Sequence, residues 1–195
     1  MPQAPDPPPE PAVPDRAAVR AEMEQARQEF RRLLDGATAA DLRRPSDGTK
    51  WTNQQLLFHM LLGYLVVRAL LPLTRLFGRL PGGASAPFAR LLDRVRWPFH
   101  LVNYLGSCAG ARLIPPALMG STLDTVIGAL EGHLDRGTDT GLHRSMHYPM
   151  TWDPLFASTM TLGELYRYPT RHFWRHRQQL TLPEAVQPAG LHLRD

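Results

Sequence analysis

The sequence predicts an all-α domain, and three observations carry that prediction. Apolar residues recur at three- and four-residue spacing in several long segments. Threonines followed three positions later by Gln or Glu stand ahead of two of those segments, as capping boxes do. No segment alternates apolar and polar residues in the way a half-buried strand must.

The elements follow in order. Residues 1–14 are dominated by proline and read as a flexible tail, ahead of a bundle domain over 15–182 and a C-terminal tail over 183–195. Asp15 offers an N-cap, and Val19, Met23, Ala26, Phe30 and Leu33 form one helical stripe up to Gly36. Arg44 to Lys50 is a turn-rich loop. Thr52 and Gln55 then open a second helix through Leu56, His59, Gly63, Val66 and Leu70, which bends or ends near Pro72.

After a break at Leu80 to Gly83, a third helix is expected from Pro87 to about Ala109, weakened inside by Pro98. Ser121 and Asp124 mark the start of another, with Leu123, Val126, Ile127, Leu130 and Leu134 facing its core and Gly137 closing it. Thr138 to Met160 reads as a loop. Thr161 and Glu164 cap the last helix, which runs to about Leu180. The chain contains no internal repeat.

Composition narrows the class. A 195-residue chain that is 43% hydrophobic, with a mean hydropathy of -0.28, can bury one core of ordinary size. A single cysteine, Cys108, excludes an internal disulfide framework and fits a reducing compartment. The first residues lack the basic and apolar regions of a secretory signal, so the expected location is cytoplasmic. The net charge of +4 comes from scattered arginines, many with acidic neighbours such as Glu22 and Glu29. That pattern reads as a solvated helical surface and not as a nucleic-acid stripe, so no nucleic-acid partner is expected. The run Leu56 to Val67 is apolar all round, but a span needs about 20 such residues, and Arg68, Pro72 and Arg75 interrupt it. No membrane span is expected; a central buried helix, or one that also meets a second copy, is the better account.

The chemistry lies in the histidines. His172 and His176 are four apart, which sets their Cβ atoms about 5–6 Å apart on one helix face. They share the stripe of Leu162, Leu165, Pro169 and Leu180, so both are expected to point inward. Two imidazoles so placed reach one ion at about 2.0–2.1 Å. His59, on the apolar second helix, supplies a third inward group, and bundles build metal sites from facing helices in this way. Convergence of the three nitrogens to within about 4 Å is the geometric requirement. His147, in the loop, offers a fourth ligand or a proton carrier; Asp153 and Tyr168 offer partners that orient a ligand histidine. Glu164 reads as a helix cap and Cys108 as a small buried residue.

Trp51-Thr-Asn-Gln-Gln-Leu-Leu-Phe-His59-Met60, followed far downstream by His172-Phe-Trp-Arg-His176-Arg-Gln-Gln-Leu180, resembles the DinB-like (DinB/YfiT) superfamily. The resemblance spans Val19 to Leu182. It implies a four-helix bundle with extra loop or short helical insertions. It also implies a metal triad of His59, His172 and His176, with zinc or nickel as the ion. Activities in that superfamily include S-transferases using mycothiol or bacillithiol and a mycothiol-dependent maleylpyruvate isomerase.

Three neutral imidazoles leave an ion its full charge and an open position, the arrangement of catalytic sites. A thiol bound there is deprotonated near neutral pH, and soft thiolates suit zinc and nickel. The expected function is transfer of a low-molecular-weight thiol such as mycothiol to an electrophilic substrate, in detoxification or stress response. The expected assembly is a homodimer. The alternative is a bundle that binds a metal or small ligand without turnover.

Overall fold

The computed structural model describes residues 15–77, 79–80 and 84–183. The two terminal tails read from the sequence lie outside these, apart from Pro183, as does most of the Leu80–Gly83 break. The described chain runs α1 (Arg16–Gly36), α2 (Ala39–Arg43), α3 (Asn53–Phe77), α4 (Ser85–Arg94), α5 (Arg96–Leu113), α6 (Pro116–Asp135), α7 (Asp139–Leu142), β1 (Ser145–His147), β2 (Thr159–Thr161) and α8 (Leu162–Arg177). It is an all-α fold in which α1 packs on α6 and α8, and α3 packs on the same two. These four close the bundle. The surplus helices sit outside that ring, with α5 lying against the outer side of α3.

Local chemistry explains where the bundle helices begin. The Asp15 carboxylate accepts from the Ala17 and Ala18 amides at 2.9 and 3.3 Å, satisfying donors that α1 cannot. Thr161 and Glu164 form the expected reciprocal box at α8. Thr52 and Gln55 do the same at α3, the Thr52 amide donating to Gln55 at 3.0 Å. The α1 stripe of Val19, Met23, Ala26, Phe30 and Leu33 is buried as its spacing requires, and it meets Leu123, Val126, Ile127 and Leu130 of α6 in one core.

Three readings of where helices start and stop need correction. Pro72 does not end α3, which continues to Phe77. The Arg68 carbonyl that Pro72 leaves unbonded lies on the exposed stretch Arg68 to Leu70, where water can satisfy it, while Leu71 and Thr74 stay buried on the core side. Pro98 does not weaken a helix interior. It falls in the first turn of α5, where amides have no intrahelical partner anyway, and the single expected helix is in fact two, broken at Val95. Ser121 and Asp124 do not start a helix either. Pro115 and Pro116 do, with Pro116 at the first helical position, and the Ser121 hydroxyl bonds back to the Leu118 carbonyl from inside α6. α8 likewise closes at Arg177, short of Leu180.

The Thr138–Met160 loop also holds α7 and a small antiparallel ladder, Met146 opposite Met160. With three residues per strand, only one side chain of each is buried, too few for alternation to register.

The α3 stripe turns out differently past His59. Val66 and Leu70 are exposed, and the core side runs through Tyr64, Val67 and Leu71. By length and apolarity α3 could cross a bilayer, against the reading that it is too short; half of its apolar window is buried in this core. A second apolar surface lies on α5, where Trp97, Val102, Leu105 and Leu113 point outward, Trp97 72% exposed and Leu113 80%.

The α3–α5 contact is close. A Cβ on Gly110 would lie 2.1 Å from the ring of buried Phe58. Gly110→Ala should therefore destabilise the fold by about 1–3 kcal/mol through overpacking. The shift of the urea midpoint measures it.

Candidate functional site

α3 carries His59 one and a half turns from its start, and α8 carries His172 and His176 near its end. Packing α3 along α8 brings the three together. Ring centroids lie 4.8 Å (His59–His172), 4.7 Å (His59–His176) and 4.5 Å (His172–His176) apart. One ring nitrogen from each lies within 4.8 Å of the others. That is wider than the expected 4 Å, and an ion with tetrahedral ligands about 2.1 Å away would draw them inward by about 1 Å. His59 and His172 are buried and His176 is half-buried.

The helix ends are tied so that this register holds. Asn53, the first residue of α3, donates to the Asp41 carbonyl at 2.8 Å and accepts from the Thr181 amide at 3.0 Å, just beyond α8. The Asp47 amide donates to the Gln179 carbonyl at 2.8 Å. Gly63 lets the helices approach: a Cβ there would stand 3.0 Å from His172 Nδ1.

Neighbours fix two of the three ring tautomers. The Ser107 hydroxyl donates to the Asn103 carbonyl at 2.8 Å, so at 3.2 Å it accepts from His59 Nδ1–H. The Gln179 side-chain oxygen can only accept, and it takes a hydrogen bond from His176 Nδ1 at 2.6 Å. Both rings therefore keep an Nε2 lone pair for a ligand, as in metal-binding histidines. His172 Nδ1 is buried without a partner. Its Nε2 lies 3.7 Å from Asp153 Oδ2, too far for a hydrogen bond. Asp153 is itself held by the Leu155 amide at 2.7 Å and the Tyr168 hydroxyl at 2.9 Å.

Of the residues marked in the sequence, Asp153 and Tyr168 thus stand beside His172, bonded to each other and not to its ring. His147 does not reach the site; its Nδ1 meets Ser85 Oγ at 3.1 Å, because β1 holds it against α4. Cys108 is half-buried and outside the histidine group, and Glu164 caps α8. Sequence reasoning missed Ser107, whose role needs α5 folded against α3. It also missed Trp51, which stacks on His59 at 4.3 Å and is flanked by Tyr104 at 6.0 Å. The Trp51 indole nitrogen is buried without a partner.

Burial disfavours protonation throughout. His59 is pushed down to about 3 by burial and then by His176. His172 falls well below its ordinary value through burial and then its two histidine neighbours. Burial also lowers His176. Three neutral imidazoles with converging lone pairs form a site that accepts a cation and resists a proton.

A ring of four packed helices with such a histidine group on two facing members defines a helical-bundle protein suited to binding a metal ion. The sequence matches the DinB superfamily over residues 22–180, and the chain belongs to that superfamily. Comparisons with curated proteins and with solved structures found no match.

The titration has a consequence for metal-free protein. The unfolded chain takes up a proton at His59 near pH 6.5, whereas the folded site stays neutral to about 3. The unfolded state therefore binds more protons in that window, and stability present above pH 6.5 is lost as pH falls through it. The slope is about 1.4 kcal/mol per pH unit for His59 alone. Urea midpoints between pH 4 and 7 should fall with pH, and His59→Asn should flatten the slope.

Proposed function

We propose that His59, His172 and His176 hold one divalent ion, zinc or nickel, and that the protein transfers a low-molecular-weight thiol to an electrophile. The observation that carries the reading is the pair of fixed tautomers, which leaves Nε2 of His59 and His176 unprotonated in a buried group where His172 also has an unpartnered nitrogen. Neutral imidazoles suit zinc and nickel. A bound ion supplies Lewis acidity, which lowers the pKa of a thiol at its open position. Asp153, fixed by Tyr168 beside His172, accepts the thiol proton. The sulfur then bonds to the electrophilic carbon as the leaving group departs or an epoxide opens. Trp51 covers one side of His59 and keeps water from that face. Mycothiol or a similar thiol is the proposed cosubstrate, and the cytoplasm, rich in such thiols, the proposed location. The homodimer is proposed to form through the exposed apolar face of α5, and light scattering of the Val102→Asp variant against wild type tests that contact.

Two measurements test the site and the reaction separately. Elemental analysis of untagged protein should find about one ion per chain, lost in both His59→Ala and His176→Ala; unchanged occupancy in both variants refutes the ligand assignment. Metal-loaded protein with mycothiol or bacillithiol and a chlorinated arene or epoxide should form the thioether faster than thiol alone, and Asp153→Asn should slow it about 100-fold. An ion held at full occupancy with no acceleration by any thiol identifies a binding protein without turnover.

A further inference from the structure

The opposite end of the bundle holds a different chemistry. α3 ends there, about 24 Å along its axis from His59 at the helical rise between positions 59 and 75. A cavity of about 220 Å³ opens between the end of α3, the α6–α7 turn and the first residue of α8. Its walls carry Arg75, Arg79, Arg136 and Arg144 with Thr74 and Thr138, and no carboxylate. Nearby acids are committed elsewhere: Asp135 pairs with Arg20, Asp139 with Arg16 at 2.5 Å, and Glu164 caps α8.

Fold architecture accounts for one of the four guanidiniums. Arg75 donates to the His133 carbonyl at the end of α6, at 3.2 Å, and to the Tyr166 hydroxyl at 3.4 Å. Among the described residues Arg136 reaches His133 Nδ1 alone, at 3.5 Å. The side chains of Arg79 and Arg144 bond to no described residue. Four like charges lining one concavity repel one another, and among the described residues no carboxylate lines the cavity to offset them. The surplus field is felt around it. His133 is lowered by burial and then by Arg75, Arg136 and Arg68; in Tyr166, burial raises the pKa while Arg75, Arg136 and Arg16 pull it down.

We propose that this pocket is a second ligand site, for a small oxyanion of the phosphate class. Arginine forks match the paired oxygens of a phosphate, and the Thr138 hydroxyl, which accepts from the Gly141 amide at 3.1 Å, keeps its proton to donate to a third. The volume lies below the roughly 300 Å³ at which pockets for drug-sized ligands begin, which selects a free phosphate or the phosphate end of a monoester. The site shares no residue with the histidine group, so it stands whether or not that group binds metal.

Titration calorimetry with inorganic phosphate, against chloride at matched ionic strength, tests it. Phosphate should bind saturably at one site per chain. Arg79→Gln and Arg144→Gln, both at exposed positions, should each weaken it about tenfold with unchanged thermal unfolding in phosphate-free buffer. Arg43→Gln, exposed on α2 outside the pocket, should leave it unchanged. Phenyl phosphate in place of phosphate distinguishes the two sources: tighter binding identifies a monoester, weaker binding the free ion. Phosphate heat no larger than that of chloride, or equal weakening in Arg43→Gln, overturns the proposal.

Discussion

Two buried imidazoles and a half-buried third can bring their nitrogens within 4.8 Å of one another only if the rings stay uncharged and α3 and α8 keep one register. This chain holds that register by gripping the two helices at one end. The Asn53–Thr181 and Asp47–Gln179 bonds fix how far one helix lies along the other. A slip of one residue would rotate His59 by about 100° out of the group. Small size at Gly63 does the rest, since any larger residue there would push against the His172 ring.

The outer helices matter because of the same group. α5 is not part of the four-helix ring, yet Ser107 on its inner face sets the tautomer of His59, and Tyr104 backs Trp51 over that ring. The loop between the two short strands serves His172 similarly, bringing Asp153 to it with the help of Tyr168. The bundle thus has two unlike ends. One gathers neutral bases within reach of a carboxylate, and the other gathers guanidiniums around a cavity without one.

Much of this was legible before folding. Caps at Asp15, Thr52 and Thr161 were readable because their partners lie three or fewer residues away. The stripes of α1, α6 and α8 were readable because helical spacing repeats. Prolines misled where their meaning depended on position: Pro98 falls in the first turn of a helix, and Pro72 is tolerated on an exposed flank. The outer half of α3 misled for a related reason. An apolar residue is buried only if something packs on it, and nothing described covers Val66 or Leu70.

The sequence by itself determined that three histidines would project from helix faces toward a common interior, because spacing and stripe membership are local properties. Family membership, carried by the short motifs around His59 and His172, belongs to the same level. Tertiary structure decided which nitrogen of His59 is free, because Ser107 is 48 residues away and only α5 packing joins them. It likewise decided that His147 stays outside and that four arginines from three separate segments meet around one cavity. Such contacts depend on how elements stack, and no periodicity along the chain encodes them.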